Sequence, residues 1–125
     1  MRNQRFTELN TWQKARVLKI EIKILADKFP IEEKFRLADQ LIRASRSVTA
    51  NIAEGHGRFT YKDQLRFCII ARGSLSEVLN HLIDALDCHY ISSSQMNDLK
   101  LRIDEVGRLL NGYISFLKNK KPPDD

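Results

Sequence analysis

The chain has 125 residues, which fits one domain, with 42% hydrophobic residues, 30% charged residues and a net charge of +5. It has no apolar run near the roughly 18 residues of a membrane span, no apolar stretch behind the N-terminus, and only two cysteines. These features exclude most secreted and membrane classes, so we expect a cytoplasmic protein with no secretory signal, no disulfide framework and no membrane partner.

Three breaks divide the chain into four segments with helical periodicity. The breaks are Phe29-Pro30, residues 55–57 and residues 88–94. We predict helices at about 10–28, 31–54, 61–87 and 94–119, followed by a disordered tail at 120–125. Because short loops between long helices force neighbours to run antiparallel, the predicted fold is all-α, an antiparallel up-down four-helix bundle.

Cap signals support these boundaries. Polar residues at the predicted starts of the first, third and fourth helices have capping-box spacing: Asn10 with Gln13, Thr60 with Asp63, and Ser92 with Gln95. In the second helix Pro30 suits the first turn, and the carboxylates of Glu32 and Glu33 suit the positive end of the helix dipole.

The first helix has two apolar stripes. One contains Ala15, Leu18, Ile22, Leu25 and Phe29, and the other contains Val17, Ile20 and Ile24. A bundle helix needs one stripe about 100° wide, so a monomer would leave the second stripe in water. The second stripe is either a widened core face or scattered exposed residues, or it is a subunit interface. We favour an interface between copies of the chain, because Ile20 lies nearly opposite the first stripe.

Positive charge is concentrated in the middle of the chain. Residues 34–72 hold eight basic residues against three acidic ones. From these we select a candidate nucleic-acid-binding set consisting of Arg36, Arg43, Arg46, Arg58, Lys62 and Arg66. The alternative is a solvated helix face with structural ion pairs. Few aromatic residues accompany this set in the sequence, so we expect base stacking to be secondary to phosphate contacts.

The end of the second helix holds residues with structural signals. We expect Asn51, which lies among small residues, to need a hydrogen-bond partner, and Gly55 to form a left-handed cap. Glu54 lies at the unfavourable end of the helix dipole, so it requires a cationic partner, either Arg58 or Lys62. Such a pair either locks the fold or belongs to a functional site.

Arg72 lies at a seven-residue spacing between leucines of the third helix, which predicts a place on the apolar face. A buried arginine requires a partner. Counting through the turns brings Asp39 and Glu105 near it, so we expect a structural or interfacial role for Arg72.

Residues 47–58 resemble the signature NIAEGxGR of a small bacterial four-helix-bundle family, with Asn51, Glu54, Gly55, Gly57 and Arg58 as motif residues. The family is named for proteins encoded in intervening sequences of 23S ribosomal RNA genes and is also called the S23 ribosomal protein family. Further matching pieces are Phe6, Leu9, residues 12–15, Phe29-Pro30, Asp63, Phe67, residues 70–74, Glu77 and residues 105–110.

The resemblance covers nearly the whole chain and implies an antiparallel bundle that assembles as a homopentameric barrel. The accessory protein of diversity-generating retroelements is a distant relative with that architecture. It binds nucleic acid and a reverse transcriptase through a basic surface. The intervening-sequence branch itself implies no settled activity.

No pattern of catalytic or metal-binding residues stands out. His81, Asp84, Cys88 and His89 gather around one predicted helix end, but nothing there completes a tetrahedral metal set. Residues 55–58 are glycine-rich, yet they follow a helix and lack the Gly-Lys-Ser/Thr of a phosphate loop. We therefore expect no enzymatic activity, no cofactor and no metal.

Two functions are compatible with the sequence. The first is an oligomeric scaffold that binds structured RNA or DNA through phosphate contacts repeated in each subunit. The second is a protein-interaction scaffold, whose partner is a protein encoded nearby. Burial of Arg43, Arg46 and Arg72 against carboxylates would favour the second function, because little basic surface would then remain.

Overall fold

The computed structural model describes residues 4–120, and these form four α-helices without any strand. The helices are α1 (Asn10–Ala26), α2 (Leu37–His56), α3 (Tyr61–Asp87) and α4 (Ser93–Lys118). Each helix packs against the helices before and after it, and α4 returns to α1. The predicted all-α four-helix fold is confirmed. Residues 121–125 of the predicted tail lie outside the described part of the chain.

The second helix begins later than predicted. Residues Ile31–Glu33 form a short 3-10 turn, and α2 starts only at Leu37, after Arg36 with φ −122° and ψ −109°. The carboxylate of Glu33 accepts a hydrogen bond from the Leu37 backbone N–H at 3.3 Å. Glu33 therefore satisfies one of the free N-terminal donors from a position before the helix, rather than from within its first turn.

The predicted caps of α3 and α4 are confirmed. The Thr60 side chain accepts from the Asp63 N–H, and Ser92 and Gln95 make both bonds of a capping box. The predicted cap at Asn10 is wrong, because α1 begins after Leu9 without a side-chain cap. The Gln13 side chain turns away and donates to the Thr7 carbonyl at 2.9 Å.

The core runs along the bundle axis and consists mainly of branched aliphatic side chains. Its largest fully buried side chains are Leu18, Ile22, Leu41, Val48, Ile52, Val78, Leu82, Val106 and Leu110. A smaller cluster of Cys68, Ile114 and Leu117 lies beneath the turn between α2 and α3, against the rings of Tyr61 and Tyr113. Burial raises the pKa of the Cys68 thiol to about 11, as expected for a group whose charged form is desolvated.

Candidate nucleic-acid interface

The six basic residues predicted to bind nucleic acid lie on the surface but do not form one cluster. Arg36 precedes α2, Arg43 and Arg46 lie on the exposed side of its first half, and the other three follow its end. Because α2 has 20 residues, about 30 Å separates its two ends. The structure therefore groups Arg58, Lys62 and Arg66, and it separates them from Arg36.

Each carboxylate in the basic segment pairs with an arginine next to it in the helical register. The distances are 3.0 Å for Asp39–Arg43, 2.7 Å for Glu54–Arg58 and 3.5 Å for Asp63–Arg66. The predicted cationic partner of Glu54 is therefore Arg58. All three pairs are solvent-exposed, and such pairs contribute about 0–1 kcal/mol each, so their guanidinium groups remain available to phosphates.

Arg72 does not lie on the apolar face, and this prediction is wrong. Its side chain is exposed, and its Nη1 donates to the Asn111 side-chain oxygen at 3.1 Å. The buried face of α3 follows Ala71, Leu75 and Val78. The leucines seven residues before and after it, Leu65 and Leu79, are only partly buried, so this register lies at the edge of the apolar face. Asp39 and Glu105 pair instead with Arg43 and Lys14.

Gly55 is also not a left-handed cap. It lies inside α2, is buried, and none of the described glycines has a positive φ. A Cβ atom at Gly55 would lie 2.9 Å from the Phe67 Cβ and 3.2 Å from the Gln64 carbonyl oxygen. The residue must be small because α2 and α3 approach closely here, while Gly57 supplies the C-cap in an ordinary helical conformation.

Asn51 has the hydrogen-bond partners that its position requires. Its side-chain amide donates to the Ser47 carbonyl at 2.8 Å and to the Ser47 hydroxyl at 3.0 Å. Ser47 in turn contacts the Ser74 hydroxyl at 2.8 Å. This polar chain joins α2 to α3, so the motif residues Asn51 and Gly55 fix the contact between these two helices.

One end of the bundle combines positive charge with aromatic rings. We call it the basic end and define it as residues 54–66 and 113–120, where the α2–α3 turn meets the end of α4. It holds five Lys and Arg residues against two carboxylates. Its aromatic residues are Phe59, Tyr61, Tyr113 and Phe116. This combination was not predicted, because α4 supplies two of its rings and lies far along the sequence from the basic segment.

Phe67 holds two of the arginines at this end. The guanidinium carbons of Arg58 and Arg66 lie 4.6 and 4.8 Å from the centre of its ring. Cation–π contacts at such distances contribute about 0.5–1 kcal/mol at exposed sites. Phe67 therefore limits the motion of both guanidinium groups and keeps them beside the α2–α3 turn.

The end of α4 adds a second aromatic contact. Lys120 Nζ lies 4.5 Å from the ring centre of Phe116 and 6.0 Å from that of Tyr61, and Phe116 stacks on Tyr113 at 6.2 Å. The antiparallel course of α3 and α4 brings these residues together. The predicted up-down order of the helices already implied this antiparallel course of α3 and α4.

The second apolar stripe of α1 is exposed, as predicted. Val17, Ile20 and Ile24 all remain accessible in the single chain, and Leu101 of α4 is 69% exposed. An open groove of about 600 Å³ lies between α1 and α4, with Ile24 and Leu101 among its lining residues. The groove extends the candidate interface from α1 onto α4.

Within residues 4–120, no group of three or more His, Cys, Asp or Glu side chains is arranged to hold a metal ion. His81 lies instead 3.1 Å from the Glu77 carboxylate, which precedes it by one helical turn. No helix in that part of the chain is both long and apolar enough to cross a membrane.

Comparison with known proteins identifies relatives of this fold. The profile of the 23S rRNA-intervening sequence protein family matches residues 7–112. A solved structure from Bacteroides thetaiotaomicron, described as a protein of unknown function from the S23 ribosomal protein family, superposes with a TM-score of 0.78. It is 24% identical, and the match covers 84% of this chain and 95% of that one. Comparison with curated proteins gives no match.

Proposed function

The chain belongs to the 23S rRNA-intervening sequence protein family, and from that premise we propose that it is a non-enzymatic oligomeric scaffold that binds nucleic acid through its basic surface. The ligand is structured RNA or DNA, held mainly through phosphates. The observation that carries this proposal is the surface position of the basic set. Five of its six members are exposed, and the sixth, Arg58, is half-buried but pairs with a solvent-exposed carboxylate.

The charge balance supports nucleic acid over a protein partner. Arg43, Arg46 and Arg72 are all exposed rather than buried against carboxylates, so the condition that would favour the protein scaffold is not met. Eight basic residues exceed three acidic ones between residues 34 and 72, and the three carboxylates there form only weak surface pairs. A phosphate backbone competes well for such arginines, since its charge density is high.

The exposed apolar stripe on α1 supports self-association. Burying Val17, Ile20 and Ile24 in a subunit interface would remove them from water at about 25 cal/mol per Å² of apolar surface. A closed ring would repeat the basic surface in every subunit, which strengthens individually weak phosphate contacts. We propose a homo-oligomer, with five subunits as the resemblance implies.

Fluorescence anisotropy across a salt series tests nucleic-acid binding. Labelled structured RNA and duplex DNA should bind with affinities that fall steeply as salt rises. The double variant Arg43→Glu and Arg46→Glu should weaken binding to all sequences alike, because phosphates carry no base identity. Selective loss for one sequence would contradict phosphate recognition. Absence of binding at low salt by an intact oligomer would favour the protein-interaction scaffold.

Light scattering tests the assembly separately. The double variant Ile20→Asp and Ile24→Asp should yield folded monomers, because two carboxylates cannot be buried in an apolar interface without partners. Circular dichroism confirms the fold of the variant, whose changed positions are exposed in the single chain. An unchanged oligomer mass would exclude this stripe as the interface.

A further inference from the structure

We infer that the basic end binds an unpaired segment of nucleic acid, with a base stacked on Phe59 and the adjoining phosphates on Arg58 and Arg66. This inference rests on the proposed function and specifies its ligand as single-stranded. It differs from the expectation drawn from sequence, in which base stacking was secondary to phosphate contacts.

Phe59 is the first observation behind this assignment. It lies in the short turn between α2 and α3, and 89% of its surface is exposed. A phenyl ring in that position contributes almost nothing to the core. Its faces are accessible to a planar ligand, and every nucleobase presents such a plane.

The cations around Phe59 are positioned before any ligand binds. Arg58 precedes it directly, pairs with Glu54 at 2.7 Å, and lies over the Phe67 ring together with Arg66. Since these contacts restrict the two guanidinium groups, less side-chain entropy is lost when they bind phosphates. An aromatic platform with fixed cations beside it is the usual construction of a single-strand binding surface.

Phe116, Tyr61 and Lys120 extend the surface beyond one nucleotide. Phe116 is 51% exposed, and Lys120 connects it to Tyr61, which follows Phe59 by two positions. A bound nucleic-acid strand can therefore contact a second ring and a further cation at the same end of the bundle. Several aromatic and basic side chains in succession match the alternation of bases and phosphates along a single strand.

A duplex does not use this surface fully. Paired and stacked bases hide their faces, so Phe59 gains nothing from a continuous duplex, whereas the cations still contact its phosphates. An unpaired loop or end supplies both components. The basic end should therefore prefer single strands, and the preference should depend on Phe59.

The other strongly exposed phenylalanine provides a matched control. Phe35 is 82% exposed and lies between Lys34 and Arg36, at the opposite end of α2. Lys34 Nζ already lies 5.4 Å from the centre of its ring, and the carboxylates of Glu32 and Glu33 are close in sequence. Removing Phe35 changes exposed aromatic area to a similar extent without touching the basic end.

The test compares three labelled ligands of about 20 nucleotides, namely an unstructured single strand, an abasic strand of equal length and a duplex. Phe59→Ala should weaken single-strand binding roughly 5- to 150-fold, because stacking contributes about 1–3 kcal/mol per base. It should leave abasic-strand and duplex affinities, and the salt dependence, nearly unchanged. Phe35→Ala should match the wild type on all three ligands.

The outcomes separate this inference from the proposed function. Equal effects of Phe59→Ala and Phe35→Ala, or wild-type binding that does not distinguish single strand from abasic strand, would overturn stacking while nucleic-acid binding stands. Failure of the wild type to bind any of the three ligands at low salt would overturn both. Light scattering and thermal melts of each variant verify that the assembly and fold are preserved.

Discussion

The two ends of the bundle are built from the same four helices but differ in charge and in how they use aromatic rings. The basic end holds five basic residues against two carboxylates. The opposite end, which we call the acidic end and define as residues 27–36 and 84–98, holds three basic residues against six carboxylates. An anionic ligand is therefore attracted to one end and repelled from the other.

Individual aromatic residues also differ between the two ends. At the acidic end the Tyr90 hydroxyl donates to the Glu33 carboxylate at 2.8 Å, and its ring lies 5.5 Å from that of Phe29. This ring closes the bundle and joins the α1–α2 connection to the α3–α4 loop. At the basic end Phe59 projects into solvent instead. Phe35 of the acidic end is strongly exposed too, so the two ends differ in the charge that surrounds an exposed ring rather than in having one.

The largest predicted difference concerns the two cysteines. Cys68 is buried beneath the basic end with a pKa of about 11, whereas Cys88 is exposed at the acidic end. The raised pKa leaves Cys68 with less thiolate at neutral pH than an ordinary thiol, and burial blocks the reagent as well. A disulfide reagent should label Cys88 at least about 100-fold faster than Cys68.

The variant Cys88→Ser isolates this comparison. It should remove the fast labelling phase, and the remaining thiol should react only as the protein unfolds in denaturant. Rapid labelling of Cys68 in the folded variant would mean that the basic end opens readily, contrary to the packing described here.

The second prediction concerns the close approach of α2 and α3 at the basic end. Gly55→Ala should lower the free energy of unfolding, since overpacking costs about 1–3 kcal/mol and exceeds the gain of up to about 1 kcal/mol in helix propensity. Gly73→Ala is the matched control, because its added Cβ would have no atom within 4 Å apart from its chain neighbours and the nearby backbone of its own helix. The control should raise stability by about 0.5–1 kcal/mol in urea unfolding. A stabilising Gly55→Ala would refute the close contact.

The third and smallest effect distinguishes the causes of two raised tyrosine pKa values. The hydrogen bond to Glu33 raises the pKa of Tyr90 to about 12, whereas burial raises the pKa of Tyr113 to about 12. Glu33→Gln should return the Tyr90 pKa towards 10.0 and leave that of Tyr113 unchanged. Ultraviolet titration of the phenolates measures both, with Tyr90→Phe assigning the signals.

The same shifts set the alkaline stability of the fold. In both tyrosines the folded pKa exceeds the ordinary value of 10.0, so the folded state binds the proton more tightly. Their contribution to stability is complete below about pH 10 and is lost as the pH rises through about 12. Glu33→Gln should therefore reduce this alkaline loss only in part, and an unchanged pH profile would contradict the assignment to Glu33.

Helical periodicity and cap chemistry predicted the fold well, because they are local properties of the chain. Apolar residues at three- and four-residue spacing predicted all four helices, although α2 begins later than expected. Thr60 and Ser92 marked two starts correctly. Errors arose where tertiary geometry decides. Gly55 was predicted to form a cap, whereas a small residue is needed there because α2 and α3 approach closely at Phe67. Arg72 was predicted to be buried, whereas it lies at the exposed edge of the face that buries Ala71, Leu75 and Val78.

The sequence predicted which basic residues belong to the candidate site but not how they are arranged in space. Arg58, Lys62 and Arg66 are close in sequence and remain together in space. Arg36 is separated from them by the full length of α2, which a charge count along the chain does not register. Phe116 and Lys120 are distant in sequence from the basic segment and were therefore not included. They reach the site in space because α4 runs antiparallel to α3.

The most direct test compares the two ends of the bundle in one binding experiment. Structured RNA is titrated with the wild type, with Arg58→Gln plus Arg66→Gln at the basic end, and with Lys28→Gln plus Lys34→Gln at the acidic end, each across a salt series. Both double variants remove two charges. The first variant should bind more weakly, with a salt dependence reduced by up to about two phosphate contacts, while the second should bind like the wild type. Equal losses in both variants, or a larger loss at the acidic end, would contradict the assignment of nucleic-acid binding to the basic end.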